Sequence, residues 1–252
     1  VDAAHKSGRF PIYAKKPKKE GPASSRPDED GLSRTKLAGE SDRPDSRTWT
    51  SFIYRQHLAR FCLNPVIDAI RSRRTVKKMD AERPPARSDV ETVIEAAIWA
   101  PNHHATEPWR FVVVAGEARK RLGAALAAAL VTSSTERVAP ERLEVERNKP
   151  LSSPVIVALI GSPKKGDNNI VPQEEVVAAG AALQNMLLAA YSLGLASFVR
   201  TGAHSYSQEV RTFFGMGESE TLIGMVYLGY ASGAVPPGKR IPFREKTTWL
   251  QD

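Results

Sequence analysis

Two short stretches hold most of the side chains that could do chemistry. In Ile70-Arg71-Ser72-Arg73-Arg74-Thr75, guanidinium groups alternate with hydroxyls. Such a fork can grip a phosphate group through paired N–H donors. The same cations at the end of a helix would also complement its dipole. On the residues alone both readings stand. The second stretch is Ala100-Pro101-Asn102-His103-His104-Ala105-Thr106-Glu107-Pro108-Trp109-Arg110-Phe111. Its Glu107-Pro108-Trp109 reads most simply as a rigid turn feeding a strand, with the indole filling core. His103, His104 and Glu107 lack the spacing of a metal site such as His-Glu-x-x-His, so no metal is expected.

Other glycine and serine patterns fail on their chemistry. Gly161 to Gly166 has the glycine spacing of a phosphate loop, but Asp167-Asn168 follow where lysine and a hydroxyl are needed. Gly215-Met216-Gly217 has Glu220 in place of the third glycine of a dinucleotide fingerprint. No Gly-x-Ser-x-Gly elbow occurs, so a serine hydrolase is unsupported.

The elements that would position these residues alternate in type. Helices are expected over 65–72, from a Ser88-Asp89-Val90-Glu91 capping box to about Trp99, over 117–130, and from Glu174 to about Leu193. Apolar strands are expected at 110–115, 155–160, 196–200 and 222–228. This mixture indicates an α+β or α/β layered fold. Residues 176–199 carry no charge, but Gln184, Asn185 and Gly194 interrupt them, and alanine outnumbers leucine. A membrane span is therefore rejected in favour of a helix covered on nearly every side, as at the centre of a dimer.

Length and charge set the outer limits. The chain has 252 residues, 41% hydrophobic and 25% charged, with a formal net charge of +8. That is enough for one substantial core. A lone cysteine, Cys62, rules out an internal disulfide and a four-cysteine zinc site. Residues 1–64 carry 13 Lys+Arg against 8 Asp+Glu, with Pro11, Pro17, Pro22, Pro27 and Pro44. They read as a disordered basic extension, with a short amphipathic helix or arm at Trp49 to Leu63. Nucleic-acid binding by this tail is the weaker reading. The expected division is an extension over 1–64 and one domain over 65–252.

Taken in order, the motifs of 65–252 resemble the nitroreductase family of flavin mononucleotide (FMN) enzymes. The family's Arg-Arg-Ser is similar to Arg73-Arg74-Thr75. Its Ala-Pro-Ser-x-x-Asn-x-Gln-Pro-Trp-x-Phe is similar to Ala100 to Phe111, and its long central helix to Glu174 to Gly194. Gly194 to Gly202, Tyr227-Leu228-Gly229 and Lys239-Arg240-Ile241-Pro242 complete the match. The nearest resemblance is to the compact YdjA-like subgroup of NAD(P)H nitroreductases. The chain departs from the pattern at Ala105 and Glu107, where the family has Asn and Gln.

The resemblance implies an α/β/α sandwich with a mostly antiparallel sheet, in an interlocked homodimer with flavin at the subunit interface. It implies that Arg73, Arg74 and Thr75 hold the FMN phosphate and ribityl chain, with Lys239 or Arg240 adding charge. Val199, Arg200 and Thr201 would line the flavin, Arg200 tuning its potential. Trp99 and His103 would reach the flavin from the other subunit, His103 being a possible proton donor. Ala189, Ala190, Tyr191, Ser192, Leu193 and Gly194 match a segment associated with pyridine nucleotide. The implied activity is cytoplasmic: ping-pong transfer from NAD(P)H through FMN to nitroaromatic or quinone-like acceptors. Reductive dehalogenation, flavin cleavage, or flavin binding without catalysis are the alternatives on the same fold.

Overall fold

The computed structural model describes residues 64–163, 170–235 and 237–251. The expected basic extension, with Cys62 and the Trp49 to Leu63 arm, lies outside the described residues save for Asn64. Residues 164–166 of the Gly161 to Gly166 turn lie outside them too.

Asn64 starts the first helix. Its Oδ1 accepts from the N–H groups of Val66 and Ile67 at 3.1 and 3.2 Å, and Pro65 takes the first turn, giving α1 (Pro65–Ser72). A two-residue strand β1 (Met79–Asp80) precedes α2 (Arg87–Ile98). Here the expected capping box does not form. Ala86 is the N-cap and makes no side-chain cap, because the helix starts straight after Pro84-Pro85 and Ser88 already lies inside its first turn. Arg87 pairs instead with Glu91 one turn on, at 2.7 Å.

Next come β2 (Trp109–Ala115), α3 (Ala118–Ser133) and α4 (Pro140–Asn148). They are followed by β3 (Val155–Gly161), α5 (Pro172–Ser192), β4 (Ala196–Arg200), α6 (Gln208–Phe213) and β5 (Thr221–Ala231). Helices α4 and α6 and strand β1 were not expected. Four of the nine residues of α4 are acidic or basic within Glu141 to Glu146, which hides it from an apolar-period reading.

Among the described residues the strands pair antiparallel throughout. β3 lies between β2 and β5, β5 pairs with β4, and β1 pairs with the end of β5. β3 is buried along its whole length, so both faces must be covered by helices. Ile156, Ala158 and Ile160 pack with Leu122 and Leu126 of α3 and Val210 of α6. Val155, Val157 and Leu159 pack with Val93 and Ala97 of α2 and Ala182, Met186 and Ala190 of α5. The result is the expected three-layer α/β/α sandwich. A register shift opposite Leu159 and Ile160 leaves Ile223 as an extra residue. That bulge puts Leu222 on the same face as Met225 and Tyr227 despite their odd spacing. Each fully buried Ile or Leu contributes on the order of 1.5–3 kcal/mol to holding the layers together.

Close approaches need small residues. A Cβ on Gly123 of α3 would lie 2.1 Å from the backbone oxygen of Arg147, so only glycine lets α3 and α4 pack this tightly. The helix α5 differs from expectation in one respect. Its Ala178, Ala179, Ala182, Met186 and Ala190 are buried, but Val176, Val177, Gly180, Gln184 and Tyr191 are exposed. One face is open in the single chain.

One ion pair ties the sheet's ends. Arg110, near the start of β2, donates from Nε and Nη2 to the two oxygens of Glu220 at 2.9 and 2.7 Å, just before β5. Gly217 N–H adds a third bond to Glu220 at 2.9 Å. The Arg110 guanidinium holds the Glu220 carboxyl down at about 2, against an ordinary value of 4.5. The ionised form is thus favoured in the fold. Its stabilisation is complete above the unfolded value and disappears as pH falls through the folded one. Glu220→Gln is expected to destabilise the protein at neutral pH by roughly 1–3 kcal/mol. The gap to wild type should close between about pH 5 and pH 2, as read from urea midpoints across that range.

Candidate functional site

The segment that follows α1 is fastened to β4. Val76 N–H donates to the Ser197 carbonyl at 3.0 Å, which lays Arg73, Arg74 and Thr75 beside the strand that carries Val199 and Arg200. The two arginines divide the two roles that their sequence left open. Arg74 Nη1 donates to the carbonyls of Arg71 and Arg73 at 2.5 and 2.9 Å, satisfying acceptors at the helix end. Arg73 is half-buried, and its Nε is buried without a hydrogen-bond partner. An orphaned guanidinium donor of this kind is costly unless a ligand meets it.

The C-terminal cations join this group. A Cβ on Gly238 would come within 2.5 Å of Arg74 Cζ, so the guanidinium lies flat against the glycine backbone, with Lys239 and Arg240 next in the chain. A cavity of about 170 Å³ opens here, lined by Arg73, Arg74, Tyr191, Gly194, Ser197 and Val235 among others. Thr75 is exposed at its margin.

The end of α5 reaches the cavity by a defined turn. Gly194, at φ +72°, donates to the Tyr191 carbonyl at 3.0 Å, and Leu195 donates to Ala190 at 2.8 Å. This double closure needs a left-handed residue, which glycine supplies. In the expected nucleotide segment, Tyr191, Ser192, Leu193 and Gly194 are exposed, Ala189 is half-buried and the Ala190 methyl faces the core.

Arg200 ends β4 on the α3 side of the sheet. Its guanidinium carbon lies 5.6 Å from the Phe198 ring centre and 5.3 Å from that of Tyr227. Its Nε, like the Tyr227 hydroxyl, is buried without a partner. Burial pushes the Tyr227 phenol up to about 12, with the Arg200 cation opposing that shift. Val199 packs on the other face, and Thr201 is exposed before Gly202.

Trp99 and His103 sit elsewhere. Trp99 caps α2 and is 80% exposed. His103 Nδ1 meets Glu174 Oε2 at 2.8 Å at the start of α5. Beside them Thr106 donates to Oε1 of the buried Glu175 at 2.7 Å. Glu174 and Tyr191 are 17 positions apart on one straight helix, about 25 Å at the α-helical rise. Within one chain, therefore, Arg73 and Arg74 lie by the end of α5 and His103 by its start, while Trp99 follows Ala96, whose carbonyl accepts from Asn185 midway along α5. Glu175 and Glu146 were not among the residues singled out in the sequence, and Glu220 was noted only as the residue that breaks a glycine fingerprint. Each lies in a charge-rich stretch that reads as solvated surface.

The comparisons decide the family. The model of the nitroreductase family matches residues 70–230. The chain belongs to the nitroreductase family. "Putative NAD(P)H nitroreductase YdjA" of Escherichia coli K12 is 30% identical over 164 residues, covering 65% of this chain and 86% of that one. A nitroreductase-like protein of Bacillus cereus superposes with a TM-score of 0.65 at 24% identity, covering 74% of this chain and 96% of that one. A Bacteroides fragilis nitroreductase solved with bound FMN gives 0.59 at 26% identity, covering 75% and 100%. The chain is thus an oxidoreductase by family, as its motifs implied.

The family motif at Ala100 to Phe111 is strained in this nitroreductase. His104, Ala105 and Glu107 have φ of +54°, +50° and +49°, and Asn102 Oδ1 steadies the loop by accepting from Glu107 N–H at 3.0 Å. Alanine tolerates that left-handed region poorly, whereas asparagine, the family's residue at 105, tolerates it well. Ala105→Asn is expected to stabilise the fold by up to about 1 kcal/mol. The denaturant midpoint should rise with an unchanged slope.

Proposed function

We propose that this nitroreductase-family chain is an FMN-dependent NAD(P)H oxidoreductase that works as a homodimer. The observation that carries the reading is the pair of orphaned guanidinium donors, Arg73 Nε and Arg200 Nε, on two segments fastened to one another. A ligand with a phosphate at one end and a polar, electron-accepting ring at the other fits that pair. The Bacteroides fragilis relative carries such a ligand, FMN.

Arg73, with Arg74, Lys239 and Arg240 close by, supplies positive charge for the phosphate. Thr75 offers a hydroxyl to the ribityl chain. Arg200, with Val199 and Thr201, meets the ring's polar edge, where a cation favours the reduced, more negative form. When bound, FMN supplies the hydride relay at N5 between NAD(P)H and a nitroaromatic or quinone-like acceptor, the two visiting in turn. The chain's task is to hold the partners in line and keep the charge balanced. The exposed residues of Tyr191 to Gly194 border the same cavity and offer a surface to the nucleotide.

The second half of the site comes from another copy. The open face of α5 carries Val176, Val177, Gly180 and Tyr191 and no charged residue between Val176 and Tyr191. Nothing lies within 4 Å of a Cβ built on Gly180, so another backbone can approach closely there. Two α5 helices packed antiparallel on this face bring each Trp99 and His103 to the other chain's arginines. Glu174 then orients the imidazole through Nδ1–H, and Nε2 faces the acceptor, able to give it a proton only from the doubly protonated ring.

Two outcomes are expected. Arg73→Ala should bind FMN ten- to a hundredfold more weakly, since one charge-assisted bond is worth about 1.5–3 kcal/mol. Equilibrium dialysis measures this, and full retention of FMN refutes the phosphate assignment. Val177→Asp alters a residue that is 72% exposed in the single chain. It should yield folded single chains in sedimentation and, with them, loss of FMN. A dimer that survives the charge refutes the α5 interface.

A further inference from the structure

Beside Arg200 lies a second set of charges. Glu146 of α4 is a buried carboxylate, only 7% exposed. It pairs with Lys149 and, at 3.5 Å, with Nδ1 of His204. Glu146, Lys149, His204 and Arg200 all line one cavity of about 70 Å³, together with the backbone of Thr201 to Ala203. A carboxylate at this buried position of α4 gives up its water, and apolar packing does not explain it. Buried charges persist when they are paired and when another group depends on them. The group in question here is Arg200, whose Nε has no partner of its own.

We propose that Glu146 and Lys149, which line one small cavity with Arg200, set the electrostatic potential felt by a flavin at Arg200. The inference rests on the proposed function for the presence of the flavin. It adds the residues that set its potential. Inside a partly buried cluster, one charge acts far more strongly than at the surface. Reduced FMN carries more negative charge than oxidised FMN. A carboxylate beside Arg200 therefore opposes reduction, and an ammonium there favours reduction. The two residues sit side by side, so their removal has opposite consequences.

The test is the midpoint potential of FMN bound to the full-length protein, measured by equilibrium reduction against a reference dye. Glu146→Gln keeps the shape and removes the negative charge. Its preference for reduced over oxidised FMN should rise severalfold, moving the potential upward. Lys149→Met removes the positive charge and should move it downward by a similar factor. A tenfold change corresponds to about 30 mV for a two-electron couple. A packing defect would instead loosen FMN in both variants and shift both potentials the same way, and that result overturns the inference. Unchanged potentials in both variants, with FMN bound as in the wild type, also overturn it while leaving the proposed function intact. A wild-type protein that takes up no FMN overturns both.

Discussion

Everything in this structure answers to the burial of β3. A strand with no exposed face requires helices above and below, and α5, with α2, covers one of its two faces. Covering the strand with one side leaves the other side of a 21-residue rod to be accounted for. That other side is uncharged, includes a glycine, and runs between two sets of chemically capable residues. The core's need for a long apolar helix thus leaves the same uncharged face that the proposed dimer would use, and in the single chain Trp99 stands in solvent.

β4 carries out the corresponding work at the level of single side chains. Its alternation sends Phe198 into the α3 side of the sheet and Val199 into the α5 side. Arg200 follows on the Phe198 side, where its cation rests over two stacked aromatic rings 4.5 Å apart. The same strand accepts the hydrogen bond that brings Arg73 alongside. A five-residue strand thereby fixes the spacing between two guanidinium groups without either touching the other. Preorganised donors of this kind act without reorganising when charge arrives.

Most of the layered fold was legible because it is written in period. The apolar runs at β2, β3, β4 and β5, and the Pro65 start of α1, follow directly from side-chain alternation and helix chemistry, while α5 begins at Pro172, two residues before the expected Glu174. What was illegible failed for identifiable reasons. α4 has too few apolar residues to show a stripe, and α2 begins by the geometry of two prolines instead of by a side-chain cap. The expectation that α5 is covered all round holds for one side only, because the absence of charge does not say which chain does the covering. At the candidate site, residue types singled out the segments around Arg73, His103 and Arg200, but how these lie along α5 is a property of the folded chain. Glu146 and Glu175 could not be told from solvated glutamates, since burial of a carboxylate is decided by what packs over it.

The arginines after α1 show how one motif can carry two physical duties at once. Read as helix-end cations, they should bond to carbonyls; read as an anion site, they should keep donors free. Arg74 does the former and is locked in place by Gly238, whose missing side chain leaves room for the guanidinium. That lock holds the C-terminal cations near the helix end and spares Arg73 from capping. Were Arg73 to cap instead, its charge would be partly neutralised by the carbonyl dipoles and its donors used up. The order Arg73-Arg74 therefore matters as much as the composition: the second arginine satisfies the backbone carbonyls, and the buried Nε of the first keeps no hydrogen-bond partner among the described residues.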